Sequence, residues 1–211
     1  MCERLKYEKE VYQLGKEYII GLDEAGRGPM AGPLVVGGVI FPKGFYDENI
    51  NDSKKLTEKK REQLYDEIIK NALAYHIEII DVDEVDQLNV YQASKQGMIR
   101  TIEKIKIKPD YALTDAMPLG NVIEHQSIIK GDALSISIAA ASILAKVTRD
   151  RIMKEYDLQY PEYGFAKHKG YPTKAHKEAL KTYGVTPIHR RSFQPVQDVL
   201  HEQISFHFDE E

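Results

Sequence analysis

Residues 18–41 read YIIGLDEAGRGPMAGPLVVGGVIF. The apolar run at 18–23 predicts a buried strand that ends in glycines, and Leu34–Phe41 predicts a second strand, which Pro42 and Gly44 end. Two β-rich segments that adjoin in this way favour an antiparallel hairpin at the start of a mixed sheet.

The rest of the chain alternates between strand and helix patterns. Further strands are predicted at 75–80, 111–114 and 127–129, and helices at 1–17, after a Thr57 N-cap, at 83–104 with a break near Asn89, at 135–156 and at 173–183. We therefore expect an α/β fold in which a mixed sheet is flanked by helices. The expected organisation is a short N-terminal helix or extension (1–17), a domain at 18–197 with a C-terminal helical lobe at about 150–197, and a tail at 198–211.

Composition places the chain among ordinary globular proteins. It has 211 residues, a net charge of −4 and one cysteine, Cys2, so it forms no internal disulfide and a reduced, cytoplasmic setting is expected. Its apolar stretches fall short of the ~20 residues of a membrane helix, so no membrane partner is expected. Between Lys146 and Arg191, however, eleven Lys or Arg stand against five Asp or Glu. That excess fits either a surface that faces phosphates or a solvated helical surface.

Four acidic residues lie at predicted element ends. Asp23 and Glu24 come where the first strand meets the glycines, Asp115 ends a later strand, and Asp132 precedes the long helix. Neighbouring strand residues point to opposite faces, so Asp23 and Glu24 reach one site only if the chain leaves strand geometry there. Each acid also has a structural interpretation: Asp23, Glu24 and Asp115 as turn residues, and Asp132 as a helix N-cap.

Together the four acids could converge at one edge of the sheet. Clustered carboxylates repel each other by about 4 kcal/mol a pair at 4 Å and an effective dielectric near 20, so they require protons or cations. Oxygen ligands suit Mg²⁺ or Mn²⁺, and the chain has neither a cysteine pair nor an HExxH-like spacing for zinc. Two such metals bridged by carboxylates are a recurrent device for hydrolysing phosphodiesters.

Four blocks of the sequence together resemble one known family. Residues 21–29 (GLDEAGRGP), 52–56 (DSKKL), 138–150 (IAAASILAKVTRD) and 168–171 (HKGY) look like the signature blocks of ribonuclease HII, the bacterial type 2 ribonuclease H, in the same order. The resemblance runs from about Tyr18 to Val196. One departure is Ala116, where many members carry glycine after the third acid.

The resemblance implies an RNase H-like sheet with a C-terminal helical lobe. It implies a metal-dependent endonuclease that cuts the RNA strand of RNA–DNA hybrids, and that cuts 5′ of ribonucleotides embedded in DNA to leave 3′-hydroxyl and 5′-phosphate ends. Its partners would be these duplexes, with no protein partner implied. It places a catalytic, metal-binding site for Mg²⁺ or Mn²⁺ on Asp23, Glu24, Asp115 and Asp132. It also implies that Gly26, Arg27, Gly28 and Tyr171 recognise the junction between ribonucleotide and DNA.

Further substrate-binding residues are expected on the remaining blocks. Ser142, Lys146 and Arg149 are spaced four and three apart, so they share a helical face that could meet phosphates. An ion pair between Lys146 and Asp150 is the alternative. Ser53 and Lys54, with Lys55, could also bind phosphates or form an exposed basic turn, and Tyr171 could stack on a sugar or pack in the lobe.

Three other functions are less consistent with the sequence. A dinucleotide-dependent oxidoreductase does not fit, because Gly26, Gly28 and Gly32 lack the GxGxxG spacing and Pro29 and Pro33 interrupt any helix that follows. A nucleic-acid-binding module of the same fold without catalysis is disfavoured by the presence of all four acids. A nuclease of this fold that acts only on DNA would differ in not needing a 2′-hydroxyl.

Overall fold

A computed structural model describes residues 3–208 of the chain, and their side chains from Arg4 to His201. Within that range five strands form one sheet in the order β3-β2-β1-β4-β5. The strands are β1 (Ile19–Ala25), β2 (Leu34–Ile40), β3 (Ala74–Ile80), β4 (Tyr111–Asp115) and β5 (His125–Ile128). Strand β1 is antiparallel to β2 and parallel to β4, and β4 is parallel to β5. The predicted mixed sheet with a leading hairpin is therefore confirmed.

Helices are present in every region where the sequence predicts one. They are α1 (Lys6–Gln13), α2 (Glu58–Asn71), α3 (Val82–Leu88), α4 (Val90–Lys104), α5 (Gly131–Leu134), α6 (Ile136–Gln159), α7 (Phe165–His168), α8 (Lys174–Tyr183) and α9 (Gln194–Phe208). Of these, α5, α7 and α9 are additional to the predicted helices. Thr57 caps α2 and Thr173 caps α8, each through its side-chain oxygen. The predicted break lies at Asn89, which has a φ of 65° and accepts a hydrogen bond from the backbone of Tyr91 at 3.0 Å.

The chain divides into two compact units. The first, the sheet unit, comprises residues 1–25, 35–79 and 94–148. Here the first half of α6 packs on the sheet through small residues. A Cβ on Gly37 of β2 would lie 2.3 Å from the carbonyl oxygen of Ala141, and one on Gly21 of β1 would lie 2.2 Å from the backbone of Ser137. Only glycine permits this approach, which brings the following residue of the helix, Ser142, over β1.

The second unit, the lobe unit, comprises residues 26–34, 80–93 and 149–211. It therefore includes residues 26–34 and 80–93, which are not part of the predicted lobe at about 150–197. The physical reason lies in two buried arginines. Arg149 donates to the carbonyl oxygens of Ala31 and Pro33, and Arg190 donates to that of Gly32. A buried guanidinium needs such acceptors, so the loop that follows β1 belongs to the lobe unit.

Elements near both ends of the described residues pack against the rest of their own unit. The segment 198–211, expected as a tail, is helical to Phe208 in α9, and its Val199 packs with Val196, Leu180 and Met30. The acidic residues 209–211 and Cys2 lie outside the described part of the chain. In α1, Glu8 is buried and accepts hydrogen bonds from Ser135 and Ser137 in the sheet unit. No helix within the described residues is long and apolar enough to cross a membrane.

Candidate active site

Three acidic residues meet at one edge of the sheet. Asp23, Asp115 and Asp132 each place one carboxylate oxygen within 4.8 Å of the others. The strand register explains the first two, since Leu22 of β1 lies beside Thr114 of β4 and the next residues on these parallel strands are Asp23 and Asp115. The predicted convergence of these three acids therefore occurs in the structure.

Asp132 arrives through a tight turn after β5. Lys130 has a φ of 58°, and the backbone N–H of Gly131 donates to the Asp115 carboxylate at 2.8 Å. A Cβ on Gly131 would lie 2.6 Å from the end of the Ile138 side chain, which would have to shift to accommodate it. Asp132 is the second residue of α5, whose N-cap is Lys130, so the alternative interpretation of Asp132 as a helix N-cap is wrong. Its buried carboxylate therefore belongs to the acid cluster and does not cap a helix.

Glu24 is not part of this group of three. Strand β1 continues through Glu24 to Ala25, and Glu24 pairs in register with Val36 of β2. The departure from strand geometry that would bring both neighbouring acids to one site does not occur at this point. Glu24 is nevertheless close enough for its charge to act on Asp23.

Burial and mutual repulsion perturb the cluster. The pKa of Asp23 is raised well above its usual value, first by burial and then by the charges of Glu24 and Asp115, while hydrogen bonds from Ser142 and the Glu24 backbone oppose the rise. The pKa of Asp132 is also raised, by burial and by Asp115, against the opposing effect of Lys54. Burial and mutual repulsion thus disfavour the charged form of these carboxylates, and a divalent cation would offset both effects.

Two of the predicted phosphate-binding serines instead support the acids. The hydroxyls of Ser53 and Ser142 lie 2.9 Å apart, both residues are buried, and Ser142 is hydrogen-bonded to Asp23. The helical face of Ser142 and the turn at Ser53, which the sequence allowed to meet phosphates, are therefore both buried at these residues. The short 3-10 turn at Ser53–Lys55 thus ties the loop before α2 to the cluster.

Lys54 and Lys146 remain the cationic residues of the sheet unit that the sequence singles out. The side chain of Lys54 is exposed, and its ammonium lies 3.6 Å from a carboxylate oxygen of Asp132. It therefore offsets part of the charge of the cluster while it remains accessible to a phosphate. Lys146 is half-buried on α6, one helical turn after Ser142.

The residues predicted to read the junction lie in the lobe unit. Arg27 and Gly28 are exposed, whereas Gly26 is buried. Tyr171 is 45% exposed, and a Cβ on Gly28 would lie 3.2 Å from its ring. The alternative in which Tyr171 packs in the lobe core is therefore wrong. Gly26 and Gly170 have positive φ values of 103° and 82°, so the backbone conformation at both positions favours glycine.

Arg149 is the predicted site residue that the structure places differently. It is 1% exposed, and its guanidinium donates to the carbonyl oxygens of Pro33 at 2.9 Å, Lys169 at 2.9 Å and Ala31 at 3.0 Å. Burial lowers its pKa to about 10. The prediction that Arg149 contacts phosphate is corrected: the residue joins the segment 26–34 to the segment that carries Tyr171, because its donors are used by backbone acceptors.

Several well-connected residues were not singled out from the sequence. They are Glu8, which holds the start of α6, and His176 and His189, which lie with His168 in a ring cluster of the lobe unit. Asp86 also accepts backbone hydrogen bonds from Arg191 and Ser192. Glu8 and Asp86 bond to residues far along the chain, and His176 bonds to His189 across a loop, so no local sequence pattern marks these residues.

Comparison with known proteins agrees with this geometry. The family model described as Ribonuclease HII matches residues 20–196. The Ribonuclease HII of Acholeplasma laidlawii is 54% identical over 198 residues, which cover 94% of this chain and 98% of that protein. The crystal structure of the ribonuclease H2 from Pyrococcus horikoshii superposes with a TM-score of 0.76 at 27% identity, over 88% of this chain and 98% of that one. Bst-RNase HIII in complex with Mn²⁺ shares the fold, with a TM-score of 0.66 at 16% identity, over 90% of this chain and 71% of that one.

Proposed function

Since this chain belongs to the ribonuclease HII family and is a metal-dependent endonuclease of the ribonuclease H type, we propose that Asp23, Asp115 and Asp132 form its catalytic metal site, and that Glu24, whose charge acts on Asp23 from outside this group, contributes to it. We further propose Mg²⁺ or Mn²⁺ as the metal. The observation that carries the proposal is the approach of three carboxylate oxygens to within 4.8 Å of one another.

The residues present fit a divalent cation. The donor set is entirely carboxylate oxygen, which suits Mg²⁺ and Mn²⁺. The raised pKa of Asp23 and of Asp132 means that the fold bears a repulsion which a cation would relieve. When bound, such metals activate the attacking water and stabilise the leaving oxygen of a phosphodiester. The relative studied in complex with Mn²⁺ supports the choice of metal.

The chain's own residues hold the carboxylates in place. The N–H of Gly131 fixes one oxygen of Asp115, and the N–H of Glu24 donates to Asp23 at 2.8 Å. Ser142, itself bonded to Ser53, holds the Asp23 side chain from α6. These bonds fix the site before substrate arrives, so little reorganisation is needed during the reaction.

The substrate that we propose is an RNA–DNA hybrid or DNA with embedded ribonucleotides. Lys54 and Lys146 would bind backbone phosphates, which position a duplex without reading its sequence. The backbone of Gly26, Arg27 and Gly28 would approach the sugar of the ribonucleotide, and the exposed Gly28 leaves no Cβ in the way. At Gly26 the space of a Cβ is taken by the Arg149 side chain. The 2′-hydroxyl is the only group that tells RNA from DNA at one nucleotide.

Tyr171 would contact the deoxyribose that follows the ribonucleotide. Its ring is exposed and lies against Gly28, so a larger residue at 28 would displace it. We propose cleavage 5′ of the ribonucleotide, with 3′-hydroxyl and 5′-phosphate ends, as the family resemblance implies. Arg149 would keep the two junction-reading segments joined.

The deciding experiment compares duplexes that carry no ribonucleotide, one, or a long RNA strand, each with Mg²⁺, Mn²⁺ or EDTA, with the cut mapped at single-nucleotide resolution. We expect metal-dependent cutting only where a 2′-hydroxyl is present, and its loss in Asp23→Asn. Cutting of all-DNA duplexes would support the DNA-only alternative, and binding without cutting at saturating metal would support a non-catalytic module.

A second set of variants tests the junction reader. Tyr171→Ala should lose much of the activity on a single embedded ribonucleotide and less on a long hybrid. Tyr183→Ala is the matched control, because Tyr183 is also an exposed tyrosine of the lobe unit, at 58% exposure. Equal losses on both substrates for Tyr171→Ala would refute the assignment of Tyr171.

A further inference from the structure

Three histidines lie together in the lobe unit behind the Tyr171 segment. The rings of His168 and His176 stack with centroids 4.3 Å apart and an interplanar angle of 11°, and the rings of His176 and His189 lie 5.3 Å apart. His176 and His189 are 0% and 1% exposed. The family signature includes only the first of the three, and the proposed mechanism uses none of them.

The hydrogen bonds that link Thr186, His189, His176 and Tyr171 all donate in the same direction along this chain of residues. The backbone N–H of Thr186 donates to Nδ1 of His189 at 3.0 Å, so this nitrogen is an acceptor and the neutral ring carries its proton on Nε2. Nε2 of His189 lies 3.1 Å from Nε2 of His176. Nδ1 of His176 lies 2.9 Å from the carbonyl oxygen of Tyr171, which only accepts, so His176 carries its proton on Nδ1. The bare Nε2 of His176 therefore accepts from His189.

This relay ends on the backbone of the exposed tyrosine. His168 holds the same segment from the other side, since its Nδ1 accepts from the N–H of Gly170 at 3.2 Å and its own carbonyl accepts from the N–H of Tyr171 at 2.9 Å. The carbonyl of Gly170 in turn accepts from the N–H of Met30 at 2.9 Å. The peptide that carries the Tyr171 side chain is thus fixed by ring nitrogens, while the side chain itself is accessible.

We propose that His176 and His189 are positioning residues for Tyr171, which they hold through a directional relay from Thr186 to the Tyr171 carbonyl; the proposal rests on the junction-reading role given to Tyr171 above. Only the neutral form of both rings completes the relay, because an added proton would set two N–H groups against each other. Consistent with this, burial lowers the pKa of His176 to about 4 and that of His189 to about 3.

The first test is nitrogen-15 NMR of the wild-type protein at pH 7, which reads the proton position on each ring directly. We expect His189 to be protonated on Nε2 and His176 on Nδ1. The opposite tautomer on either ring, or an imidazolium signal, would overturn the relay. This measurement does not depend on the folding of any variant.

The second test measures kcat and KM on a duplex with one ribonucleotide and on a long hybrid. His176→Leu keeps the ring site filled but removes the donor to Tyr171, and it should lower kcat/KM about tenfold on the single ribonucleotide and less than about threefold on the hybrid. His176→Asn, whose amide nitrogen can stand where Nδ1 stood, should restore most of the loss. His201→Leu is the control, because His201 is an exposed histidine of the same unit.

The outcomes distinguish failure of the positioning role of the histidines from failure of the junction-reading role of Tyr171. If Tyr171→Ala is selective for the single ribonucleotide and His176→Leu is not, the positioning role fails and the junction role of Tyr171 stands. A His176→Asn variant no better than His176→Leu has the same meaning, since loss of the hydrogen bond to the Tyr171 carbonyl would then not explain the defect. If Tyr171→Ala itself lowers both activities equally, both roles fail, while loss of cleavage in Asp23→Asn still supports the endonuclease assignment.

Discussion

Replacing Asp23 by asparagine should stabilise the metal-free protein while it abolishes cleavage. Two full charges separated by 4.8 Å, the span of the acid cluster, repel by about 3.5 kcal/mol at an effective dielectric near 20. Partial protonation, which the raised pKa of Asp23 permits, reduces the cost. We therefore expect a gain of about 1–3 kcal/mol in the free energy of unfolding at pH 7 in EDTA. Asparagine retains the oxygen that accepts from the N–H of Glu24.

The sign of the pH dependence follows from the raised pKa. Below the unfolded pKa, Asp23 is protonated in both states, so wild type and variant should have similar stability there. As pH rises through the folded pKa, the wild type loses stability and the advantage of Asp23→Asn grows.

Divalent metal should remove or reverse this difference in stability. At a concentration one hundred times the dissociation constant, a cation that binds only the folded state adds about 2.7 kcal/mol. Mn²⁺ should therefore stabilise the wild type and have little effect on Asp23→Asn. The assay is urea denaturation at pH 7 with EDTA or Mn²⁺, and Asp66→Asn, an exposed acid on α2, is the matched control. A folded Asp23→Asn protein that is less stable than wild type in EDTA, or that Mn²⁺ stabilises equally, would refute the reasoning.

Three further predictions concern stability. Lowering the pH from 7 to 5 should reduce the free energy of unfolding by about 2 kcal/mol for each of His176 and His189, because their lowered pKa keeps them neutral when folded while the unfolded rings take up protons. In urea melts, His189→Gln should lose about 2 kcal/mol less than the wild type over this pH range, and an equal loss would contradict this. Ala116→Gly should raise the free energy of unfolding by up to about 1 kcal/mol, since Ala116 has a φ of 51°, and a lower melting temperature would count against it. Glu8→Ala should cost about 1–3 kcal/mol by leaving the buried N–H of Ser137 without its acceptor, Glu8→Gln should cost less, and equal melts for both variants would reject that explanation.

Local patterns predicted most of the secondary structure. The hairpin, the Thr57 and Thr173 caps and the interruption at Asn89 depend on neighbours within a few residues, and the structure contains all of them. Element ends differ by a few residues, and α6 runs three residues past the expected end at Tyr156. The helix over 198–208 was missed, because what orders it is burial of Val199 against residues far along the chain.

The sequence predicted which residues lie in the candidate site better than it predicted what each of them does there. The strand ends that carry Asp23 and Asp115 follow from sequence, and their proximity follows from parallel pairing of β1 and β4. The different role of Arg149 was not predictable, since helical spacing alone does not say whether a face meets solvent or a carbonyl of another segment. The same holds for Ser142, whose hydroxyl is directed to a carboxylate by the close packing of α6 on glycines of the sheet.

The three-segment construction of the lobe unit has a consequence for biosynthesis. The carbonyls of Ala31 and Pro33 emerge from the ribosome 118 and 116 residues before the Arg149 guanidinium to which they bond. At about 5–20 residues per second, that interval is about 6–24 s. Until it has passed, the carbonyl oxygens of the loop that follows the first strand lack the donor that they bond in the native protein. The loop therefore reaches its native structure only after most of the polypeptide has been translated. Synonymous codon changes that slow translation between Pro33 and Arg149 should prolong the protease sensitivity of this loop in nascent chains. The finished protein should be unchanged.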